Sequence, residues 1–127
     1  MWAASLEGLF RQAALGLAAL LTDPATIAER EETRLEVRGL DLEELLVGWL
    51  NELLYRFEGE RRVPVEVKEL RIAREGEGYR LSASVAAGLW DPARHPKGAS
   101  VKAATYHGLR VAASPEGGYG VTLVFDA

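Results

Sequence analysis

An α+β fold, with a mostly antiparallel sheet packed on two amphipathic helices, is what this 127-residue sequence predicts. Two stretches carry apolar residues at helical spacing, and the segments between and after them switch to a period of two. Helices and strands are not in strict alternation, which separates the pattern from a parallel βαβ arrangement. With 48% hydrophobic and 27% charged residues, the chain has an ordinary globular balance and enough length to bury one core, so a single domain over 1–127 is expected.

The first helix opens at Ser5, a good N-cap residue. Leu6, Leu9, Phe10, Ala13, Ala14, Leu17, Leu20 and Leu21 then form one stripe, which Thr22-Asp23-Pro24 ends. Asp41 caps the second helix, with Glu44 at capping-box spacing. Leu42, Leu45, Leu46, Trp49, Leu50, Leu53, Leu54 and Phe57 cover more than half of that helix, so it must be buried against a sheet or a partner. Thr33, Leu35 and Val37 read as a short strand. Val63, Val65 and Val67 alternate with polar residues, and Leu70 and Ile72 take the opposite parity. That switch calls for a bulge near Lys68-Glu69. Gly76 and Gly78 bracket a turn into Tyr79, Leu81, Ala83 and Val85, a hairpin pattern, and Gly88 to Ser100 reads as a loop. Two closing strands, Val101–Ala113 and Tyr119–Phe125, flank the turn Ser114-Pro115-Glu116-Gly117-Gly118.

The residue inventory excludes several function classes. The absence of cysteine removes thiolate nucleophiles, Cys-ligated zinc and disulfides, and is compatible with a reducing cytoplasmic location. Leu6 to Leu21 is interrupted by Glu7, Arg11 and Gln12 and follows no basic segment, so neither a signal peptide nor a membrane span is expected. A net charge of −4 argues against a free-standing nucleic-acid binder. There is no Gly-rich phosphate loop, no helical His pair and no Gly-x-Ser-x-Gly elbow.

Few residues are left to carry chemistry. His107 shares strand parity with Val101, Leu109 and Val111, so it reads either as a hydrogen-bonded core histidine or as a functional one. Lys102, Tyr106 and Arg110 occupy the other face of that strand, either as a solvated face or as a small cationic-aromatic patch. His95, beside Pro96, reads as a local loop contact. Asp126 closes the strand Val-Thr-Leu-Val-Phe one residue from the chain end, so its carboxylate stands near that of Ala127. Two adjacent carboxylates can begin a hard-cation site, which needs about six oxygens in all. A solvated terminus is the plain alternative.

Read together, the segments resemble the archease family. Ser5-Leu6-Glu7-Gly8-Leu9-Phe10 leading to Leu21-Thr22-Asp23-Pro24 is similar to its first helix, and Asp41-Leu42-Glu43-Glu44 followed by Trp49-Leu50-Asn51-Glu52 to its second. Most specific are His95, the run Lys102-Ala103-Ala104-Thr105-Tyr106-His107 and the ending Val124-Phe125-Asp126-Ala127. The resemblance implies a non-enzymatic accessory protein for RtcB-type RNA ligases, which join tRNA exon halves and other RNA ends. Such a helper promotes guanylylation of the ligase histidine and multiple turnover, and meets RNA only indirectly. It also implies a divalent metal site (calcium, magnesium or manganese) at Asp126 and the Ala127 carboxylate, with His107 and Lys102 as partner contacts or site support.

The family's other metal aspartate belongs to a His-Thr-Ala-Asp strand expected before Trp2-Ala3-Ala4-Ser5. The sequence starts at Met1, so half of that site is expected to be missing. Ser100 also stands where the family often has Glu. Two other readings compete: a chaperone-like protein-binding module, and a small metal-dependent phosphoester hydrolase built on Asp126 and His107.

Overall fold

The computed structural model describes residues 1–101, 103–105, 110–113 and 115–126, with backbone alone at 105 and 124–126. Both predicted helices form where their caps direct. Helix α1 (Leu6–Leu21) starts at Ser5, whose extended backbone lets its hydroxyl accept the Gly8 N–H at 3.0 Å. Helix α2 (Leu42–Glu60) starts at Asp41, which accepts the Glu44 N–H at 2.7 Å. It ends at Arg61, a non-glycine residue in the left-handed region (φ 58°). The Arg61 guanidinium lies over the rings of Phe57 and Trp90, 5.8 and 5.7 Å from their centroids, and these cation–π contacts offset part of the strain.

The end of α1 is finished from far away in sequence. Gly98 N–H donates to Leu21 O at 2.9 Å and Ala99 N–H to Leu20 O at 2.7 Å. The hydroxyl of Thr22 and the indole N–H of Trp90 both donate to Pro96 O, at 2.6 and 3.0 Å. Helix ends leave carbonyls without intrahelical partners, and the segment predicted as a plain loop supplies them here.

After strand β1 (Trp2–Ala3) and α1, the main sheet is built from β2 (Glu31–Gly39), β3 (Arg62–Glu75) and β4 (Gly78–Leu89). Its order is β2-β4-β3, antiparallel throughout. The β3–β4 hairpin turns at Gly76, whose φ of +59° is open to glycine at little cost. Strand β3 shifts register between Val67 and Glu69, at the predicted place, and also between Pro64 and Glu66. Only the first bulge reverses apolar parity, so only it was visible in the pattern.

Leu35, Val67, Leu70, Leu81, Ala83 and Val85 line the inner face of this sheet and join one core with both helices. Trp49 of α2 is 0% exposed, and its indole N–H donates to Phe10 O of α1 at 3.0 Å. The outer face is polar. Near its centre the Ser84 hydroxyl donates to the Glu32 carboxylate. That bond, aided by the charges of Lys68 and Arg34 and opposed by desolvation, holds the Glu32 pKa below its ordinary value.

A depressed carboxylate pKa contributes stability that is present above the unfolded-state value and lost as pH falls through the folded one. Ser84→Ala is therefore expected to move the Glu32 titration upward and to flatten its share of the acid-side stability curve. Carboxylate NMR titration reads this directly; an unmoved Glu32 would assign the shift to the neighbouring cations alone.

The last third of the chain adds two small sheets. Strands β6 (Ala112–Ala113) and β7 (Tyr119–Gly120) form the predicted hairpin, and β1 pairs on the far side of β7. Strands β5 (Ala103–Thr105) and β8 (Val124–Asp126) pair with each other in a separate sheet. Extending the Ala112–Gly120 register back to Thr105 would reach Ala127, three residues past its actual partner Val124. The described parts of the two closing strands thus belong to two sheets rather than to one continuous hairpin.

Candidate functional site

The candidate site is built on β5 and β8. Ala103 pairs with Asp126, Ala104 with Phe125 and Thr105 with Val124. Two hydrogen bonds from α2 fix β5. Asn51 Oδ1 accepts the Ala104 N–H at 2.7 Å, and Asn51 Nδ2 donates to Ala104 O at 3.5 Å. The side-chain amide therefore replaces a neighbouring strand. Strand peptide groups alternate in direction, so the Ala104 groups facing α2 leave those of Ala103 and Thr105 facing β8. In the first turn of α2, Glu43 Oε1 accepts the Val111 N–H at 3.0 Å. Helix α2 thus holds both Ala104 of β5 and Val111 through side-chain hydrogen bonds.

Of the predicted site residues, Asp126 is described through its backbone, which closes β8 opposite Ala103. Its side chain lies outside the described residues, as do Ala127, His107 and Lys102 in full. No group of three or more His, Asp or Glu side chains able to hold a metal ion occurs among the described residues. The described residues by themselves supply no complete cation site.

Asn51 and Glu43 are structural supports that the sequence reading passed over. One signal was present: an asparagine inside a leucine-rich helix gives up helix propensity and needs a polar partner when partly buried.

His95 sits elsewhere. Its ring Nδ1 accepts the Asp91 N–H at 2.9 Å while the His95 backbone N–H donates to Asp91 O at 2.8 Å, so the residue is held within a local turn. An accepting Nδ1 places the proton of the neutral ring on Nε2. The turn borders a cleft of about 380 Å³ lined by Arg30, Glu31, Arg62, Leu89, Asp91 and Arg94 among others. Charges of both signs alternate around it, and Arg62 is already paired with Glu31 at 3.1 Å.

A family model described as the Archease protein family matches residues 1–127. The chain belongs to the archease family. Protein archease of Methanopyrus kandleri is 39% identical over 113 residues, covering 87% of this chain and 79% of that protein. Its counterpart from Thermococcus gammatolerans is 35% identical over 125 residues, covering 98% of this chain and 87% of its own. The solution structure of Methanobacterium thermoautotrophicum protein 1598 superposes with a TM-score of 0.76 at 26% identity. It covers 98% of this chain and 87% of its own. The family resemblance drawn from the helices and the Lys-Ala-Ala-Thr-Tyr-His run therefore holds over the whole chain, and so does the α+β fold. No helix among the described residues is long and apolar enough to cross a membrane.

Proposed function

We propose that this archease-family protein is a cytoplasmic, non-enzymatic activator of an RtcB-type RNA ligase in tRNA splicing, acting on guanylylation of the ligase histidine and on turnover. The observation that carries the reading is the family match over residues 1–127 together with the terminal strand pair, in which Asp126 closes β8 against an α2-braced β5. Bracing matters because a group presented to a partner acts well only from a rigid support. Guanylylation needs an aligned triphosphate and an unprotonated imidazole. A small helper can favour both by docking an acidic end into a basic ligase cleft, where charge complementarity speeds encounter and fixes orientation.

In this reading Asp126 and the Ala127 carboxylate hold a divalent cation, which would screen phosphate charge when bound. His107 and Lys102 contact the ligase or support that end, and tRNA is met only through the ligase. The expected result is that the purified chain speeds GTP-dependent guanylylation of a cognate ligase several-fold or more and that Asp126→Ala removes the stimulation while leaving the thermal midpoint nearly unchanged. Lack of stimulation by the wild-type chain would defeat the proposal. Broad suppression of client aggregation that is indifferent to Asp126→Ala would instead support a chaperone-like module.

A further inference from the structure

The two edges of the main sheet are built differently. Edge strand β3 carries Pro64 and two register shifts, devices that blunt an edge against further pairing. Edge strand β2 carries neither: it runs nine residues in unbroken register with β4 and has no neighbour on its other side among the described residues. Its peptide groups on that side form a template for another strand.

The sequence of β2 also fits itself. Glu32, Arg34, Glu36 and Arg38 point outward and are exposed, while Leu35 is buried and Thr33 and Val37 are half-buried on the inner face. Suppose a second copy of β2 pairs antiparallel about a two-fold axis through Leu35. Glu32 then faces Arg38 of the second copy, Arg34 faces Glu36, Thr33 faces Val37 and Leu35 faces Leu35. Every outward pair joins opposite charges, and all nine residues overlap. Sliding by two residues in either direction sets Arg against Arg and Glu against Glu at each outward pair. Sliding by one sets inner apolar residues against outer charges, which the pleat forbids. Opposite charges across a ladder stabilise pairing and like charges oppose it, so the pattern selects one register.

We propose that β2 is a homodimerisation edge, joining two copies of this chain through a β2–β2 ladder centred on Leu35 into one continuous six-stranded antiparallel sheet. Such a two-fold contact is self-complementary by construction. Arg34 forms no ion pair among the described residues, whereas Glu36 and Arg38 bridge each other at 2.9 Å. In the dimer, Arg34 gains Glu36 of the second copy as an ion-pair partner. The inference stands apart from ligase activation, since β2 is remote in sequence and sheet from β8.

Sedimentation of the full chain across roughly micromolar to millimolar concentrations tests this. A reversible monomer–dimer equilibrium is expected. Arg34→Glu sets two Glu–Glu pairs into the ladder and is expected to weaken dimerisation by about tenfold or more. The double change Arg34→Glu with Glu36→Arg restores opposite charges in the same register and is expected to recover most of the loss. Thermal melting of both variants checks that the monomer fold is intact. A chain that stays monomeric throughout, a dimer indifferent to Arg34→Glu, or a double variant no better than the single one each overturns the proposal.

Discussion

Trp49→Ala is expected to cost about 3–5 kcal/mol of folding stability, because it removes a large buried aromatic side chain and leaves a cavity that the core refills only in part. For a chain of this size that corresponds to a fall in thermal midpoint of roughly 10–20 °C. The estimate rests on complete burial of Trp49 in the core shared by α1, α2 and the main sheet. Total stabilities of about 5–15 kcal/mol are usual, so the variant sits near the limit of foldability. Trp49→Phe separates volume from hydrogen bonding. It keeps most of the apolar body and loses the indole bond to Phe10 O, with an expected cost of about 1–2 kcal/mol. Denaturant melts of both variants check the pair. Equal losses for Phe and Ala would mean that the hydrogen bond, rather than packing, joins the two helices.

Asn51→Ala is the second large effect, and it links stability to the candidate site. The change strips both α2 partners from the Ala104 peptide groups, and an unsatisfied, partly buried peptide group costs about 1–3 kcal/mol. Amide exchange at Ala104 should accelerate far more than exchange in the β3–β4 hairpin, because the loss is local. Asn51→Asp divides the two bonds. It keeps the 2.7 Å acceptor and replaces the 3.5 Å donor with an oxygen that repels the Ala104 carbonyl. Ala104 protection should then stay near the wild-type level even though some stability is lost. Unchanged Ala104 exchange in Asn51→Ala would show that β8 alone holds β5. Any activity that depends on Asp126 should weaken with Asn51→Ala, since β5 is the strand on which β8 lies.

The helices show why part of this fold can be read without coordinates. Ser5 and Asp41 cap their own helices within three residues, and the apolar stripes that follow have a period set by backbone geometry alone. The same holds for the β3–β4 hairpin, whose turn and parity are local. Where the partner is distant, the sequence is silent. Nothing near Pro96, Gly98 or Ala99 announces that they finish a helix some 75 residues earlier, beginning with the Thr22–Pro96 bond that spans a separation of 74. The register slip between the β6–β7 and β5–β8 pairs likewise leaves no mark on hydrophobic alternation.

What the sequence determined by itself was the α+β class, both helix starts, the main hairpin, the bulge at Lys68 and membership of the archease family through runs such as Lys102-Ala103-Ala104-Thr105-Tyr106-His107. These depend on periodicity, capping and short motifs, all of which act over a few residues. Tertiary structure alone decided that Asn51 and Glu43 brace the terminal strands, that residues 96–99 complete α1, and that β2 and β3 are the two edges of the main sheet among the described residues. Each of these joins groups far apart along the chain, and which distant peptide group satisfies which side chain is settled only when the core brings them within hydrogen-bonding distance.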